Sequence, residues 1–239
     1  MNLLDVFTAL TYGELKQLKL GNFVPENAES APDPVSYAAI MSDINLGLTE
    51  LHKRLWLRTE ELYVQQYEHI ETYVLAWKYA ATNTASAEVY KYILDTVAKP
   101  FEDNVLKIEE CYNEIGELIP LNDPSDDESI FTPTYRSIQV PNPVSANIVA
   151  VQYRANHPKL IYELGMDPAD TEITIPESLL EALLYYVAMR NFSSLNSDDN
   201  HEGNNYRKKF EDSIAQYKVA GLNTQPEIDN NNFDAKGWP

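Results

Sequence analysis

The period of the hydrophobic pattern changes twice along this chain, and no other sequence feature constrains the fold as strongly. Before residue 57 and after residue 171, apolar residues recur at spacings of three and four, which places them on one face of a helix. Between these limits apolar and polar residues alternate, and β-branched and aromatic types are frequent, as is typical of strands. The order of helices, strands and helices lacks the alternating βα units of a doubly wound nucleotide-binding fold.

We therefore predict an α+β fold. A helical bundle is built from both chain ends, residues 1–56 and 172–222, and a β-rich hairpin or small-sheet arm, residues 57–171, is inserted between them. Residues 223–239 carry no periodic pattern and are predicted to form an extended C-terminal arm.

The longest predicted helix starts at Pro34, since proline suits the first helical position, and it carries a heptad-like seam. The seam repeats at spacings of four and three and consists of Tyr37, Met41, Ile44, Leu48, Leu51 and Leu55. Such a seam must pack on another helix. Tyr37, Met41, Leu48 and Leu51 are therefore candidates for contacts between subunits, and packing within the chain's own core is the alternative that the pattern leaves open.

Shorter helical patterns lie near both chain ends. A helix over residues 3–10 is followed by the capping-box spacing Thr11–Glu14, which predicts the start of a second helix. Farther along, a strongly apolar helix follows Pro176, a polar linker occupies residues 193–205, and a final helix ends at Gly221.

The inserted region reads as several strands. Alternation over residues 57–79 predicts strands, and residues 105–121 predict a hairpin. The hairpin turn, Asn113–Gly116, ends on a glycine that can adopt positive φ. Residues 135–140 and 148–154 are two further predicted strands, separated by a Pro-Asn-Pro segment.

Two segments resemble metal sites only superficially. The acidic loop 122–128 offers the oxygen ligands that Ca²⁺ prefers, but it lacks the EF-hand pattern, so a solvated turn is favoured. His201 and Glu202 begin like a zinc-protease motif, yet position 205 is asparagine. We predict neither a metal nor a cofactor.

The remaining candidates for catalysis are equally weak. The G-x-S-x-G, Walker and G-x-G-x-x-G patterns do not occur. Glu109 and Glu110 would point to opposite faces of a strand and could not share a proton. Cys111 lies in the same predicted strand and is expected to be a core residue. We therefore predict that the protein is not an enzyme.

The charge excludes two classes of partner. Eighteen Lys and Arg stand against 37 Asp and Glu, which gives a net charge of −19. Such a surface repels phosphate backbones, so a protein that grips DNA or an anionic membrane is disfavoured. No apolar run approaches the roughly 20 residues of a membrane helix, and no signal peptide is visible. The single cysteine fits assembly in a reducing cytoplasm.

The last residues contain two large aromatics in a stretch otherwise rich in Asn and Asp. Phe233 and Trp238 would be costly for solubility if they stayed exposed without a role. A frayed terminus with incidental aromatics is one interpretation. A segment that becomes ordered when its aromatics dock into a partner is the interpretation that we favour.

Several segments, in the same order along most of the chain, resemble the head-to-tail adaptor (connector) proteins of short-tailed double-stranded DNA bacteriophages. They are Thr11–Leu15, Pro100–Ile108, Ile119–Pro124, Phe131–Pro133, Tyr153–Pro158, Ile175–Glu177 leading into Leu180 and Ala182–Tyr186, and the closing Phe233–Trp238.

This resemblance implies a non-enzymatic virion protein at the head–tail interface, assembled in the host cytoplasm. Such adaptors form a homo-oligomeric ring, commonly of twelve copies, below the portal vertex, and combine a helical bundle with a β-rich extension. The ring extends the DNA channel used in ejection and provides a platform for the next tail protein, a nozzle or tail fibre. An acidic channel lining would enclose double-stranded DNA without gripping it.

The resemblance also implies a role for the C-terminal arm, which in related adaptors reaches into the portal protein. That docking role would fall on Phe233, Gly237 and Trp238, although the terminal Pro239 differs from the apolar ending of such arms. Two other functions stay open: a tail-completion or other scaffold protein that does not contact the portal, and a metal-dependent hydrolase using residues 122–128 or His201.

Overall fold

The computed structural model describes residues 1–16, 34–161, 163, 167–193 and 200–223, with the side chains of 34–37, 200 and 201 excepted. Within these ranges the chain contains four α-helices and two antiparallel sheets, so the predicted mixture of helices and strands is confirmed. The chain divides into two compact units: Met1–Leu51 with Lys159–Pro239, and His52–Pro158. The first unit combines residues from both chain ends.

The first helix, α1 (Leu3–Ala9), begins with a reciprocal capping box. Asn2 accepts a hydrogen bond from the backbone N–H of Asp5 at 2.9 Å, and Asp5 accepts one from the N–H of Asn2 at 3.0 Å. The predicted box at Thr11 was wrong, because α1 continues directly into a π-helical turn, Leu10–Glu14, and the Thr11 hydroxyl is buried without a hydrogen bond. A capping spacing in the sequence can thus fall inside a helical segment.

Helix α2 (Pro34–Arg54) confirms the long helix that the seam predicts. Most of α2 belongs to the first unit, and its last turn belongs to the second. Gly47 allows α2 to pass close to the next helix of its unit: an added Cβ would lie 2.7 Å from Cδ1 of Leu183 and 3.0 Å from Cδ1 of Tyr186. This close approach requires a glycine although the residue lowers helix propensity.

Helices α3 (Leu180–Ser193) and α4 (Asn200–Val219) confirm the two C-terminal helical patterns. Their buried side chains larger than alanine share the apolar faces that the sequence indicates; they are Leu183, Val187, Phe192, Phe210, Ile214 and Tyr217. Helix α4 starts at Asn200, within the predicted linker 193–205. Gly203 disfavours a helix, but the packing requires a glycine at this position because an added Cβ would meet Ser193. Gly221 follows α4 with a positive φ of 70°.

The second unit contains all seven strands that the described residues form: β1 (Thr59–Gln65), β2 (Thr72–Val74), β3 (Val105–Tyr112), β4 (Leu118–Ile119), β5 (Phe131–Thr134), β6 (Ser137–Gln139) and β7 (Ile148–Ala155). One sheet has the order β1-β7-β3-β4 and the other β2-β6-β5, with antiparallel pairs throughout. The β3–β4 pair is the predicted hairpin, and Gly116 in its turn has a φ of 82°. One face of the larger sheet contributes Leu62, Val64, Ile108, Cys111, Val149 and Val151 to the core.

Two strand predictions were wrong in detail. Trp77–Tyr79 forms a 3₁₀ turn rather than part of a strand. The predicted strand 135–140 begins only at Ser137, because Tyr135 and Arg136 form the turn between β5 and β6. Strand β5 escaped prediction because it contains Pro133, which a sheet tolerates at an edge, and β5 is one of the two edge strands of its sheet.

The free edges of both sheets are covered or short. Residues 92–94 run along β1, where the N–H of Leu94 donates to the carbonyl of Tyr63 at 2.8 Å. The hydroxyl of Tyr92 accepts from the N–H of Val74 in β2 at 2.9 Å and donates to its carbonyl at 3.0 Å. Strand β4, at the opposite edge of the larger sheet, has two residues.

Candidate interaction surface

The structure limits what the predicted contact residues can do. Phe233, Gly237, Trp238 and the side chain of Tyr37 lie outside the described residues. Met41, Leu48 and Leu51 are at most 2% exposed, so they pack in the chain's own core. That was the alternative to a subunit seam, and in this conformation the three side chains offer no surface to a neighbouring copy.

An exposed surface lies instead on the face of the larger sheet that does not contribute to the core. Cross-strand pairing aligns one residue from each strand: Tyr63 is opposite Ala150, Ala150 is opposite Tyr112, and Tyr112 is opposite Leu118. Leu94 extends this line beyond β1, because it pairs with Tyr63. We call these five residues the apolar row. With about 4.8 Å between strands, the apolar row is about 19 Å long.

The apolar row is exposed at both ends, Leu94 and Leu118, and also at Tyr63, which lies beside Leu94. Leu118 is 61% exposed, Tyr63 45% and Leu94 38%, whereas Ala150 is buried between the two tyrosines. Tyr63 and Leu94 are thus exposed side by side, and Leu118 is exposed at the other end; neighbouring exposed apolar side chains are typical of a surface that binds another protein.

A second line of residues lies beside the first. Glu61, Gln152 and Glu110 are opposite one another on the same three strands, two residues away from the apolar row and therefore on the same face. We call them the acidic row, and the two rows together the acidic–aromatic face. The amide oxygen of Gln152 is buried and accepts no hydrogen bond.

Each tyrosine of the face holds a carboxylate of the acidic row. The Tyr63 hydroxyl donates to Oε2 of Glu61 at 2.8 Å, and the Tyr112 hydroxyl donates to Oε2 of Glu110 at 2.5 Å. The bond to Glu61 raises the pKa of Tyr63 above its usual value. Burial and the bond to Glu110 raise the pKa of Tyr112. Both tyrosines therefore stay neutral donors at physiological pH, and the carboxylates keep fixed orientations.

A buried ion pair supports one end of the face. Arg154, which is 7% exposed, donates to the carbonyl of Lys53 at 2.7 Å and to Oε1 of Glu109 at 2.6 Å. Its guanidinium also lies 4.5 Å from the ring centre of Trp56. Lys107 pairs with the other oxygen of Glu109 at 2.6 Å. These contacts fix the end of α2 against β7 and β3 within the second unit.

The prediction that Glu109 and Glu110 point to opposite faces assumed a regular strand, and the assumption was wrong. The register of β3 against β7 shifts between Ile108 and Glu110, which leaves Glu109 in a β-bulge. The bulge aims Glu109 at Arg154, while Glu110 is opposite Gln152 and binds Tyr112. The two carboxylates thus have separate partners.

The acidic–aromatic face itself was missed, although the sequence contains a signal for it. Strands β1 and β3 both carry the pattern Glu-x-Tyr, at Glu61–Tyr63 and Glu110–Tyr112, with a buried residue in the middle. Strand alternation then places both Glu–Tyr pairs on the exposed face. What the sequence lacks is the pairing that brings the two strands to either side of β7.

Two of the side chains that were candidates for catalysis or metal binding, Cys111 and Asp123, have well-defined surroundings. Cys111 is fully buried, as predicted, and burial raises the pKa of its thiol to about 12. In the acidic loop, Asp123 accepts hydrogen bonds from the hydroxyl of Ser125 at 2.6 Å and from its backbone N–H at 2.9 Å, and these two contacts lower the pKa of Asp123. No group of three or more His, Cys, Asp or Glu side chains within the described ranges is arranged to hold a metal ion.

Among the helices of the described residues, none is both long and apolar enough to cross a membrane. No protein-family model matches the chain, and a search of curated proteins finds no match either.

Proposed function

We propose that this protein is a non-enzymatic head-to-tail adaptor of a short-tailed bacteriophage. In this proposal about twelve copies, the number common in the adaptors that the chain resembles, form a ring below the portal vertex in the virion. The ring extends the DNA channel for ejection and binds the next tail protein, a nozzle or tail fibre. The adaptor-like arrangement, with a helical bundle from both chain ends and an inserted β-rich arm, belongs to this proposal.

The observation that carries an interaction role is the acidic–aromatic face. Its exposed apolar row adjoins fixed carboxylates, a combination suited to binding another protein. The phage assignment rests on the sequence resemblance. The net charge of −19 supports a conduit, because an acidic lining does not hold a passing duplex.

The test is to mix the purified protein with the portal of the same phage and to image the product by electron microscopy. A ring of subunits below the portal is expected. Portal particles without such a ring at micromolar protein would reject the proposal. Association with a tail tube alone would instead favour the tail-completion alternative.

The docking role of the C-terminal arm has its own test. Removing residues 228–239 should abolish or weaken portal binding and leave the helical circular dichroism unchanged. A matched control changes Asn230, Asn231 and Asn232 to alanine, which alters the same segment but retains Phe233 and Trp238. Normal docking of the truncated protein, or equal loss in the control, would contradict the role of the aromatics.

A further inference from the structure

The turn between β5 and β6 departs from the chemistry that is usual for its length. Thr134 is opposite Ser137, which leaves a two-residue hairpin loop, Tyr135–Arg136. Loops of two residues favour asparagine and glycine, because the turns that match the twist of the strands need a positive φ. Neither loop residue has a positive φ, and the register of β5 against β6 shifts just before the loop. Such departures from local rules are expected at functional or strained sites.

Hydrogen bonds hold this loop, which we call the tip, in place. The hydroxyl oxygens of Thr134 and Ser137 lie 2.7 Å apart, and the Ser137 hydroxyl accepts from the backbone N–H of Thr134 at 3.1 Å. The carbonyl of Arg136 accepts from the N–H of Leu75 at 2.8 Å. A loop that is fixed before binding loses little conformational entropy when it binds.

The tip presents an aromatic ring and a cation. Tyr135 is 58% exposed, and the guanidinium of Arg136 lies 5.7 Å from the centre of its ring. Arg136 forms no ion pair with another described residue, and its charge is permanent. Tyrosine and arginine are among the residue types that most often dominate binding between proteins. The tip therefore fits a surface that combines a carboxylate with apolar side chains.

The chain itself carries such a surface at the β1 end of the acidic–aromatic face. Glu61 is exposed there, and the Tyr63 hydroxyl orients its carboxylate without neutralising it. Tyr63 and its neighbour Leu94 add exposed apolar surface. Within one copy, Arg136 does not pair with Glu61, so the two surfaces are available to different copies.

Charge complementarity selects a second copy as the occupant. Copies with a net charge of −19 repel one another at long range, so a contact between them needs a cation at the interface. An unrelated acidic protein would satisfy the tip alone, whereas a second copy satisfies both the tip and the Glu61 end. Since these are two different surfaces, the contact is heterologous, and rings are built from contacts of this kind.

We propose that the tip of one copy docks at the Glu61 end of the acidic–aromatic face of the next copy. The Arg136 guanidinium binds the Glu61 carboxylate, and the Tyr135 ring packs on Tyr63 and Leu94. The inference rests on the proposed ring for its place in the virion, and it deepens that proposal by naming the contact that joins neighbouring subunits.

A charge swap tests the pairing in rings assembled on the portal. The measurement is the protein concentration at which half of the portals carry a ring. Arg136→Glu and Glu61→Arg should each raise it about tenfold, since each places like charges opposite one another. The double variant restores opposite charges and should recover most of the loss. Lys99→Glu and Asp127→Arg make the same charge changes on other exposed side chains and should have less than about a twofold effect.

Cross-linking tests the contact with and without the portal. In Arg136→Lys the new amine keeps the positive charge, and a carbodiimide can join it to the Glu61 carboxylate as an amide. Mass spectrometry of an equal mixture of isotope-labelled and unlabelled protein shows whether the joined residues come from different copies. A mixed-isotope link between positions 136 and 61 is expected, in the concentrated protein alone and in assembled rings. Lys99, which is also exposed, is the internal control and should not link to Glu61 at a comparable yield.

Three results would overturn the inference: equal effects of the charge-matched controls, a double variant no better than the single ones, or a position 136 that links to another protein or to no second copy. Circular dichroism verifies that each variant is folded. The two proposals fail separately. Wild-type rings on the portal that the charge swap leaves unaffected would reject this contact and leave the adaptor role standing. Mixed-isotope links without a ring on the portal would support the contact and reject the adaptor role.

Discussion

Replacing Arg154 by methionine should cost a large share of the stability of the second unit. The substitution retains an unbranched apolar stem but removes the charge. Among the described residues, Glu109, with a side chain 6% exposed, then keeps its ion pair with Lys107, which is largely exposed. Breaking a buried pair from one side typically costs 3–5 kcal/mol, and the carbonyl of Lys53 also loses a hydrogen bond from a charged donor. Since Lys107 compensates in part, we expect a loss of about 3–4 kcal/mol.

Urea denaturation at pH 7, followed by tryptophan fluorescence, measures this loss. With a slope of about 2 kcal/mol per molar urea, the midpoint should fall by about 1.5–2 M. The double variant Arg154→Met with Glu109→Leu removes both charges and should recover most of the loss, because an apolar pair can replace a buried ion pair. A single variant that loses less than about 1 kcal/mol, or a double variant that is no more stable than the single one, would refute this reasoning.

Three other predictions concern packing and titration. Gly47→Ala should destabilise the first unit by about 1–2 kcal/mol despite the better helix propensity of alanine, because the new methyl group meets Leu183. Thermal unfolding measures the change in stability. A stabilised variant would contradict the close packing. Cys111 should not react with Ellman's reagent at pH 8 in the folded protein and should react on unfolding. With a pKa of about 12, only about one thiol in ten thousand is ionised in the folded protein. Fast reaction without urea would show that the thiol is accessible. The hydrogen bond to Glu181 raises the pKa of Tyr185 to about 12, whereas the unfolded side chain ionises near 10, so the free energy of unfolding should fall as the pH rises through this interval. In Tyr185→Phe the fall, measured by urea midpoints from pH 9 to 12, should be shallower; an identical pH dependence would exclude this contribution.

The helices were predictable from sequence because each buries one continuous apolar face. Met41, Leu48 and Leu51 show the limit of that information: a stripe predicts burial, but it does not say whether the covering surface belongs to the same chain. The start of α4 was missed because a glycine, Gly203, disfavours a helix. The glycine is there because an added Cβ would meet Ser193, which is ten positions away in sequence.

The acidic–aromatic face was unpredictable for a different reason. Its two Glu-x-Tyr segments are almost fifty residues apart, and only the pairing of β1 and β3 with β7 brings them together. The bulge at Glu109 likewise depends on register, which alternation in a single strand does not encode. Long-range pairing therefore determines the site, whereas local pattern determines the elements on which it lies.

The covered sheet edges have a consequence for contacts between copies of the protein in solution. An unpaired strand edge is a template onto which another copy can add its own strand, and this is a common route to aggregation. Here residues 92–94 occupy the edge of β1, and the hydroxyl of Tyr92 forms hydrogen bonds with the N–H and the carbonyl of Val74. In β5, Pro133 has no N–H with which to bind another strand. Within the described residues, these contacts therefore disfavour the addition of a strand from another copy at the sheet edges.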